Sequence, residues 1–352
     1  MSIYNSAGFI ALLISVISTI IITPQFKIIG DKYNLRDIPN KRAQHLSPKI
    51  RIGGISIFIS FLISSISSLF YLYFNNFGIE SLNKISLGFC AVLILFILGL
   101  LDDLFKLSPY LRLVCQLMTS LGVWLGGIRI ESIDIGNLSS QLYSLNLSPI
   151  LSLIITVFWI TGLTNAFNWI DGLDGLASGL TSIICITFIF ISFSINNYLL
   201  AILFIALLGS NIGFLKYNYY PSSIMMGDSG SYFLGCSLSI LSLLIFPNGE
   251  FNLLIFGLIF LIPIGDMISV IFSRIINGIS PFYPDRRHLH HRILSVGLNH
   301  HQTVFFLYLI KITLCTCLLY FLGLFNIALT FLLNILSLFL LFTLVRNNFK
   351  KS

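Results

Sequence analysis

Long apolar runs, broken at intervals by short polar segments, organise the chain from end to end. Each run is close to the roughly 20 residues an α-helix needs to cross the hydrocarbon of a bilayer. The pattern predicts eleven spanning helices, at approximately 4–24, 53–74, 85–101, 111–130, 149–163, 176–195, 198–215, 232–246, 253–272, 304–324 and 327–345. The fifth and the eighth are short. The first run has neither a basic leading segment nor a small-residue cleavage site, so it reads as a span and not as a signal peptide. An all-α, polytopic membrane protein is the expected fold class. An odd number of spans puts the two termini on opposite sides.

Composition sharpens that picture. The chain has 352 residues, 56% of them hydrophobic and only 9% charged. A soluble domain carries about a quarter charged residues. The few charges are sorted. Seventeen Lys and Arg fall in one set of loops, against only Lys84 and Arg129 in the opposite set, while Lys311 lies within a span. Cytoplasmic loops collect Lys and Arg, so the N-terminus is expected outside and the C-terminus in the cytoplasm. The longest hydrophilic segments, 25–52 and 273–303, are both on the cytoplasmic side, which leaves residues 1–352 as one membrane domain with no soluble appendage. The net charge of +7 does not point to nucleic acid, because no basic surface with interleaved aromatics is present. The six cysteines lie in apolar runs and suggest neither a disulfide framework nor a zinc site.

The remaining polar residues gather in the cytoplasmic loops, approximately 25–52, 102–112, 164–175, 216–231 and 273–303. Asp102 and Asp103 end the third span. Adjacent carboxylates repel unless a cation offsets them, and Mg²⁺ or a phosphate carrying it would do so; a solvated helix end is the plain alternative. In NAFNWIDGLDGLASGL, the residues Asn165, Asn168, Asp171 and Asp174 recur every third position, a spacing that shares one face if helical. A glycine-rich turn is the plain alternative there. Asp228 lies between Gly227 and Ser229 just before the eighth span, in a loop whose amides and hydroxyls suit phosphate or hydrated metal, or simply cap a helix. SPFYPDRRHLHHRIL gathers Arg286, Arg287, His288, His290 and His291. Beside arginines the histidines suit an anion better than zinc, and a basic loop attracted to anionic lipid is the alternative. Carboxylates for a metal and basic groups for phosphate, on one face, are the equipment of phosphoryl transfer.

Five ordered motifs carry a resemblance: DIPNKRAQH with RIGG, then LGLLDD, NAFNWIDGLDGLA, YNYYPSSIMMGDSGS and PDRRHLHHRIL. Over about residues 20–300 the chain resembles the polyprenyl-phosphate N-acetylhexosamine-1-phosphate transferases (the WecA, TagO and MraY type). The resemblance implies Asp228 as the main Mg²⁺ ligand, with Mn²⁺ as a substitute. It places Asp102 and Asp103 at the metal and phosphate site, one of them as base or second ligand. It gives Asn168, Asp171 and Asp174 the nucleotide and diphosphate region. Asn218 matches the asparagine before the proline of the GDSGS loop, and Asp37, Asn40 and His45 match the first loop. Arg286, Arg287, His288, His290 and His291 would bind phosphate and sugar. Arg112 and Gln116 match a basic-x-x-x-Gln pair in which Lys is usual. The spacing His-Leu-His-His after PDRR is like the WecA group, which favours a UDP-N-acetylhexosamine donor, GlcNAc first, over UDP-muramoyl-pentapeptide.

The reaction so implied transfers HexNAc-1-phosphate to undecaprenyl phosphate and releases UMP, initiating cell-envelope glycan synthesis such as O-antigen at a bacterial inner membrane. The implied partners are the UDP-sugar, the polyprenyl phosphate and membrane lipid, with room for a homodimer. Single-step displacement is expected, with a covalent aspartyl-phosphate as the rival. A lipid or anion transporter is the rival class of function. Transporters usually place their sites near the midplane, often between repeats, whereas here the polar residues lie at one face and no repeat is visible.

Overall fold

The computed structural model describes residues 2–37, 48–75, 82–134, 144–246, 249–280 and 287–349. Helices dominate. Ser2–Lys32 (α1), Gly54–Phe74 (α2), Leu82–Phe105 (α3), Pro109–Leu125 (α4), Pro149–Ile170 (α5) and Leu176–Ser194 (α6) form the first half. Tyr198–Asn218 (α7), Gly227–Ile245 (α8), Leu253–Ile259 (α9), Leu261–Ile276 (α10), Leu289–Ser295 (α11), His300–Phe321 (α12) and Ile327–Phe349 (α13) follow. Among the described residues, eight helices are long and apolar enough to cross a membrane, and α9 with α10 would make a ninth. The protein is therefore an all-α polytopic membrane protein, as the apolar runs require. Helices overlie the predicted runs, the ninth as the pair α9 and α10, but α4 has only 17 residues and the described apolar part of α13 ends at Leu341, so eight or nine described helices, not eleven, meet the length and hydropathy of a span.

Three boundaries differ from the sequence reading in ways that matter for the site. α5 continues to Ile170, so Asn165 and Asn168 sit on its last turns and not in a loop, while Asp171 only caps it and Asp174 lies in the turn beyond. α8 begins at Gly227, so Asp228 is in a helix's first turn. Hydropathy missed these turns because polar residues facing other helices count against a span although their backbone is fully helical. The ninth run is not one helix: α9 and α10 meet at Phe260 with a bend of 79°. Pro263 contributes to that break, since a proline in the first turn of α10 cannot donate back across the junction.

α8 is the axis of the bundle. Nearly every residue of it is buried, and it packs on α2, α3 and α5. Its glycines and serines allow this, since small residues let helix backbones approach closely where lipid gives no hydrophobic drive to associate. A Cβ added to Gly235 would stand 2.6 Å from the Leu163 carbonyl oxygen of α5, and one added to Gly54 of α2 would stand 2.2 Å from the Gly230 nitrogen. Two small sheets lie among the described residues. Arg36–Asp37 (β1) pairs antiparallel with Lys49–Ile50 (β2). At the opposite end, Ser132–Asp134 (β3) pairs with Ser144–Asn146 (β4) and Glu250–Asn252 (β5).

Candidate active site

The start of α8 is built by a residue of another helix. The first N–H groups of a helix have no intrahelical partner and carry partial positive charge. Here Asp103, at the end of α3, supplies both acceptors: its Oδ1 takes the Asp228 amide at 2.8 Å and its Oδ2 the Ser229 amide at 2.9 Å. Gly227 has φ +78°, and a Cβ there would lie 2.5 Å from the Arg51 carbonyl oxygen and 2.7 Å from Asp103 Oδ2. Only glycine fits.

That arrangement fixes Asp228. Its Oδ1 accepts from Arg51 Nη2 at 2.8 Å and from Asn168 Nδ2 at 2.6 Å, and Asn168 also donates to Ser231 Oγ at 3.0 Å. Arg51 Nε lies 3.3 Å from Asp103 Oδ1, so one guanidinium bridges two carboxylates. Asp102 points the other way from Asp103. Its Oδ2 accepts from Arg112 Nη1 at 2.5 Å and its Oδ1 from the Leu107 amide at 2.8 Å, and its charge is repelled by that of Asp228. Burial pushes the Asp171 carboxyl well above the usual range, Arg51 pulls it back, and Asp228, Asp103 and Asp174 push it further up. Asp102, Asp103, Asp171 and Asp228, from α3, α5 and α8, are thus brought into one charged cluster.

Two neighbouring groups extend the cluster. Asp174 Oδ2 accepts from Lys49 Nζ at 2.7 Å and from the Ser222 amide at 3.0 Å. Burial alone would raise the Asp174 carboxyl, but these donors outweigh it and hold it below the usual range. Lys49 is the register partner of Asp37, so the β1–β2 hairpin is tied to the glycine-rich turn. Asn218 serves that turn: its Oδ1 accepts from the Gly175 amide and Ser178 Oγ, and its Nδ2 donates to the Ile224 carbonyl. Its polar atoms face protein and not the cluster. Gln116, on α4, accepts from Asn165 Nδ2 at 2.7 Å.

The histidine segment docks from the other side. Asp266 of α10 receives His288 Nδ1 at 2.9 Å and the Leu289 amide at 2.6 Å. His290 is buried, and a Cβ on Gly172 would lie 2.3 Å from its Nε2, so the histidine lies directly on the glycine-rich turn. Burial, then the neighbouring His291 and His288, push its imidazole down to about 3. The rings of His290 and His291 are 4.4 Å apart, and Trp169 stands edge-on to His288 while Arg274 covers its face. Arg287 donates to Ser273 Oγ and its carbonyl, at 3.0 and 3.1 Å. Asn40, His45 and Arg286 lie outside the described residues.

The cluster can hold a hard cation. Asp102 and Asp228 are like charges that act on each other, and a cation near them would relieve the repulsion; the ligands that they offer are oxygens. Among the described residues no three acidic, His or Cys side chains converge into a ready cage. Mg²⁺ does not need one, since it is commonly bound through one or two carboxylates with water and substrate phosphates completing the shell.

Comparison with known proteins places the chain. Residues 85–246, which hold Asp102, Asp103, Asn168, Asp171, Asp174 and Asp228, match glycosyl transferase family 4. A Bacillus subtilis protein named as a probable undecaprenyl-phosphate N-acetylglucosaminyl 1-phosphate transferase is 35% identical over 303 residues, covering 86% of this chain and 81% of the relative. The chain belongs to glycosyl transferase family 4. Other family 4 relatives include undecaprenyl-phosphate alpha-N-acetylglucosaminyl 1-phosphate transferases. The one from Thermotoga maritima is 30% identical, covering 77% of this chain and 76% of the relative. The one from Escherichia coli K12 is 29% identical, covering 84% and 77%.

Sequence reasoning left three members of this family 4 site unnamed. Lys49 and Arg51 stood only among the basic residues of the first loop, although Arg51 opens the quoted RIGG. Asp266 lies within the ninth apolar run, 253–272. An acid in hydrocarbon usually has a partner, and that signal could have paired it with the histidines.

Proposed function

We propose that the protein transfers N-acetylglucosamine-1-phosphate from UDP-N-acetylglucosamine to a polyprenyl phosphate, giving the lipid diphosphate sugar and UMP. The observation that carries this is the convergence of Asp102, Asp103, Asp171 and Asp228 with Arg51 and Arg112 at the ends of α3, α4, α5 and α8. The names of the relatives supply the sugar and the lipid. Acceptor and donor both bring phosphates, and such a reaction is catalysed by positioning and charge neutralisation.

An oxygen of the lipid phosphate attacks the β-phosphorus of the donor, and the bond to the UMP oxygen breaks. The lipid phosphate has a second pKa of about 6 and is mostly dianionic at neutral pH, so no side chain has to remove a proton from it. A bound Mg²⁺ or Mn²⁺, held by Asp228 with Asp102, would neutralise charge on the donor's phosphates. Asn168 and Arg51 orient Asp228. Asp103 does not reach toward substrate; both of its oxygens hold the α8 amides. Arg287, His288, His290 and His291 form the wall from which donor phosphate and sugar are gripped, Asp266 setting the angle of His288. Neutral His290 donates or accepts a hydrogen bond without adding charge. The Lys- and Arg-rich loops and the bacterial relatives support a site that faces the cytoplasm at a bacterial plasma membrane.

Membranes containing the protein should convert labelled UDP-N-acetylglucosamine into an organic-extractable lipid, and only with Mg²⁺ or Mn²⁺ present. Asp228→Asn should be the most damaging single change, lowering turnover by roughly 10²-fold or more, as expected for loss of a transition-state charge contact. Label in lipid without a divalent ion, or near-normal turnover of Asp228→Asn at limiting Mg²⁺, would refute the metal assignment. No label under any condition would refute the reaction.

A further inference from the structure

Arg51 stands where a cation is needed. It bridges Asp228 Oδ1 at 2.8 Å and Asp103 Oδ1 at 3.3 Å, and it also feels Asp37 and Asp171. Its side chain is 37% exposed while that of Asp103 is 1% exposed, so the guanidinium covers the carboxylates from the open side. Asp103 has its charge answered twice by amides of α8 without Arg51. Asp228 Oδ1, by contrast, accepts among the described residues from Asn168 and Arg51, both side chains and neither a backbone amide. A divalent ion approaching Asp228 therefore meets a guanidinium already seated on that oxygen. Two cations cannot share it without strong mutual repulsion. Guanidinium is also the group best shaped to hold phosphate oxygens two at a time, and a small rotation of an exposed side chain is the least costly movement in the cluster.

We propose that Arg51 is a built-in counter-cation, which competes with the divalent ion for the Asp228 carboxylate and, once displaced, meets the donor diphosphate. The inference rests on the metal-assisted transfer proposed above. Arg51 in this role is a positioning residue in the free enzyme and a binding residue in the donor complex. It couples the two events: an ion alone has to expel Arg51, whereas an ion arriving with a diphosphate gives Arg51 a new partner. Ion and donor should then bind more tightly together than apart.

The test is Mn²⁺ titration of the purified full-length protein by electron paramagnetic resonance, with and without UDP. Without UDP, Arg51→Gln should bind Mn²⁺ about tenfold more tightly than wild type, the size expected for removing one competing charge contact. At saturating Mn²⁺, UDP should bind Arg51→Gln about tenfold more weakly, and the wild-type enhancement of Mn²⁺ binding by UDP should shrink. Unchanged or weaker Mn²⁺ binding by Arg51→Gln, or unchanged UDP binding, overturns the proposal. If the Gln variant fails to fold, Arg51→Lys decides: a single ammonium cannot hold both carboxylates, so Mn²⁺ should bind about threefold more tightly, and an unchanged value overturns it. Asp228→Asn in the same titration separates the two readings. Loss of Mn²⁺ binding there with no change in Arg51→Gln defeats only the role of Arg51, whereas wild-type binding in Asp228→Asn defeats the metal site itself.

Discussion

His290 lies against Gly172 with its imidazole held neutral, and this has a measurable cost in acid. Its folded value, about 3, lies below the 6.5 of a free histidine. Above pH 6.5 neither state binds the proton and the group costs nothing. As pH falls from 6.5 toward 3, the unfolded chain gains a proton that the folded one refuses, so stability is lost by about 1.4 kcal/mol per pH unit. His290→Gln should therefore be less stable than wild type at pH 7.5, with a gap in melting temperature that narrows at pH 6 and again at pH 5. A gap that stays constant with pH would show that His290 is not buried as a neutral ring. That the histidines stand in a basic segment could be read from Arg286 and Arg287 beside them. That His290 rests on a glycine 118 residues earlier could not, because nothing local in either segment records the contact.

Among the elements, α3 and α8 meet in a close backbone contact at the site itself. Gly99 faces the first turn of α8, and a Cβ there would lie 2.4 Å from the Asp228 carbonyl oxygen and 2.7 Å from Ser229 Cα. Both are backbone atoms and cannot turn aside. Gly99→Ala should cost about 1–3 kcal/mol of stability, the usual price of overpacking, and should lower transfer activity by moving Asp228. Gly122, on α4, has nothing within 4 Å of its notional Cβ. Gly122→Ala should be neutral or stabilising by up to about 1 kcal/mol, from helix propensity alone. Thermal unfolding of the two variants side by side checks the pair, and equal behaviour would contradict the packing described. The apolar run gave the existence of α3 and α8 directly. It did not give the extension of α8 back to Gly227 or of α5 on to Ile170, because residues such as Asn168 and Asp228 look like loop residues until the helices that receive them are known. The break between α9 and α10 was hidden for the converse reason: both halves are apolar, and hydropathy is blind to a change of direction.

For the molecule as a whole, the described helix ends that carry Asp103, Asn168 and Asp228 meet, and seventeen of the twenty Lys and Arg belong to the loops on that side of the sequence pattern. A fluorescent protein fused after Ser352 should be bright, and alkaline phosphatase fused there inactive, if the Lys- and Arg-rich loops mark the cytoplasmic side as proposed. The opposite pattern would put every motif on the wrong side of the membrane for a nucleotide-sugar. The membrane-spanning character and the grouping of the polar motifs were legible in the chain itself, since both depend on transfer of side chains between water and hydrocarbon, which each residue carries with it. What only the tertiary structure decided is the division of labour within the motifs. Of two adjacent aspartates, Asp103 turns to cap α8 and Asp102 turns to Arg112 and the Leu107 amide. Lys49 and Arg51, two residues apart, go to Asp174 and Asp228 respectively. Asn218 is spent on holding the glycine-rich turn. These outcomes depend on which helix end lies opposite each side chain, a matter of packing between segments up to 177 residues apart, and charge pairs form with whatever the packing brings within reach.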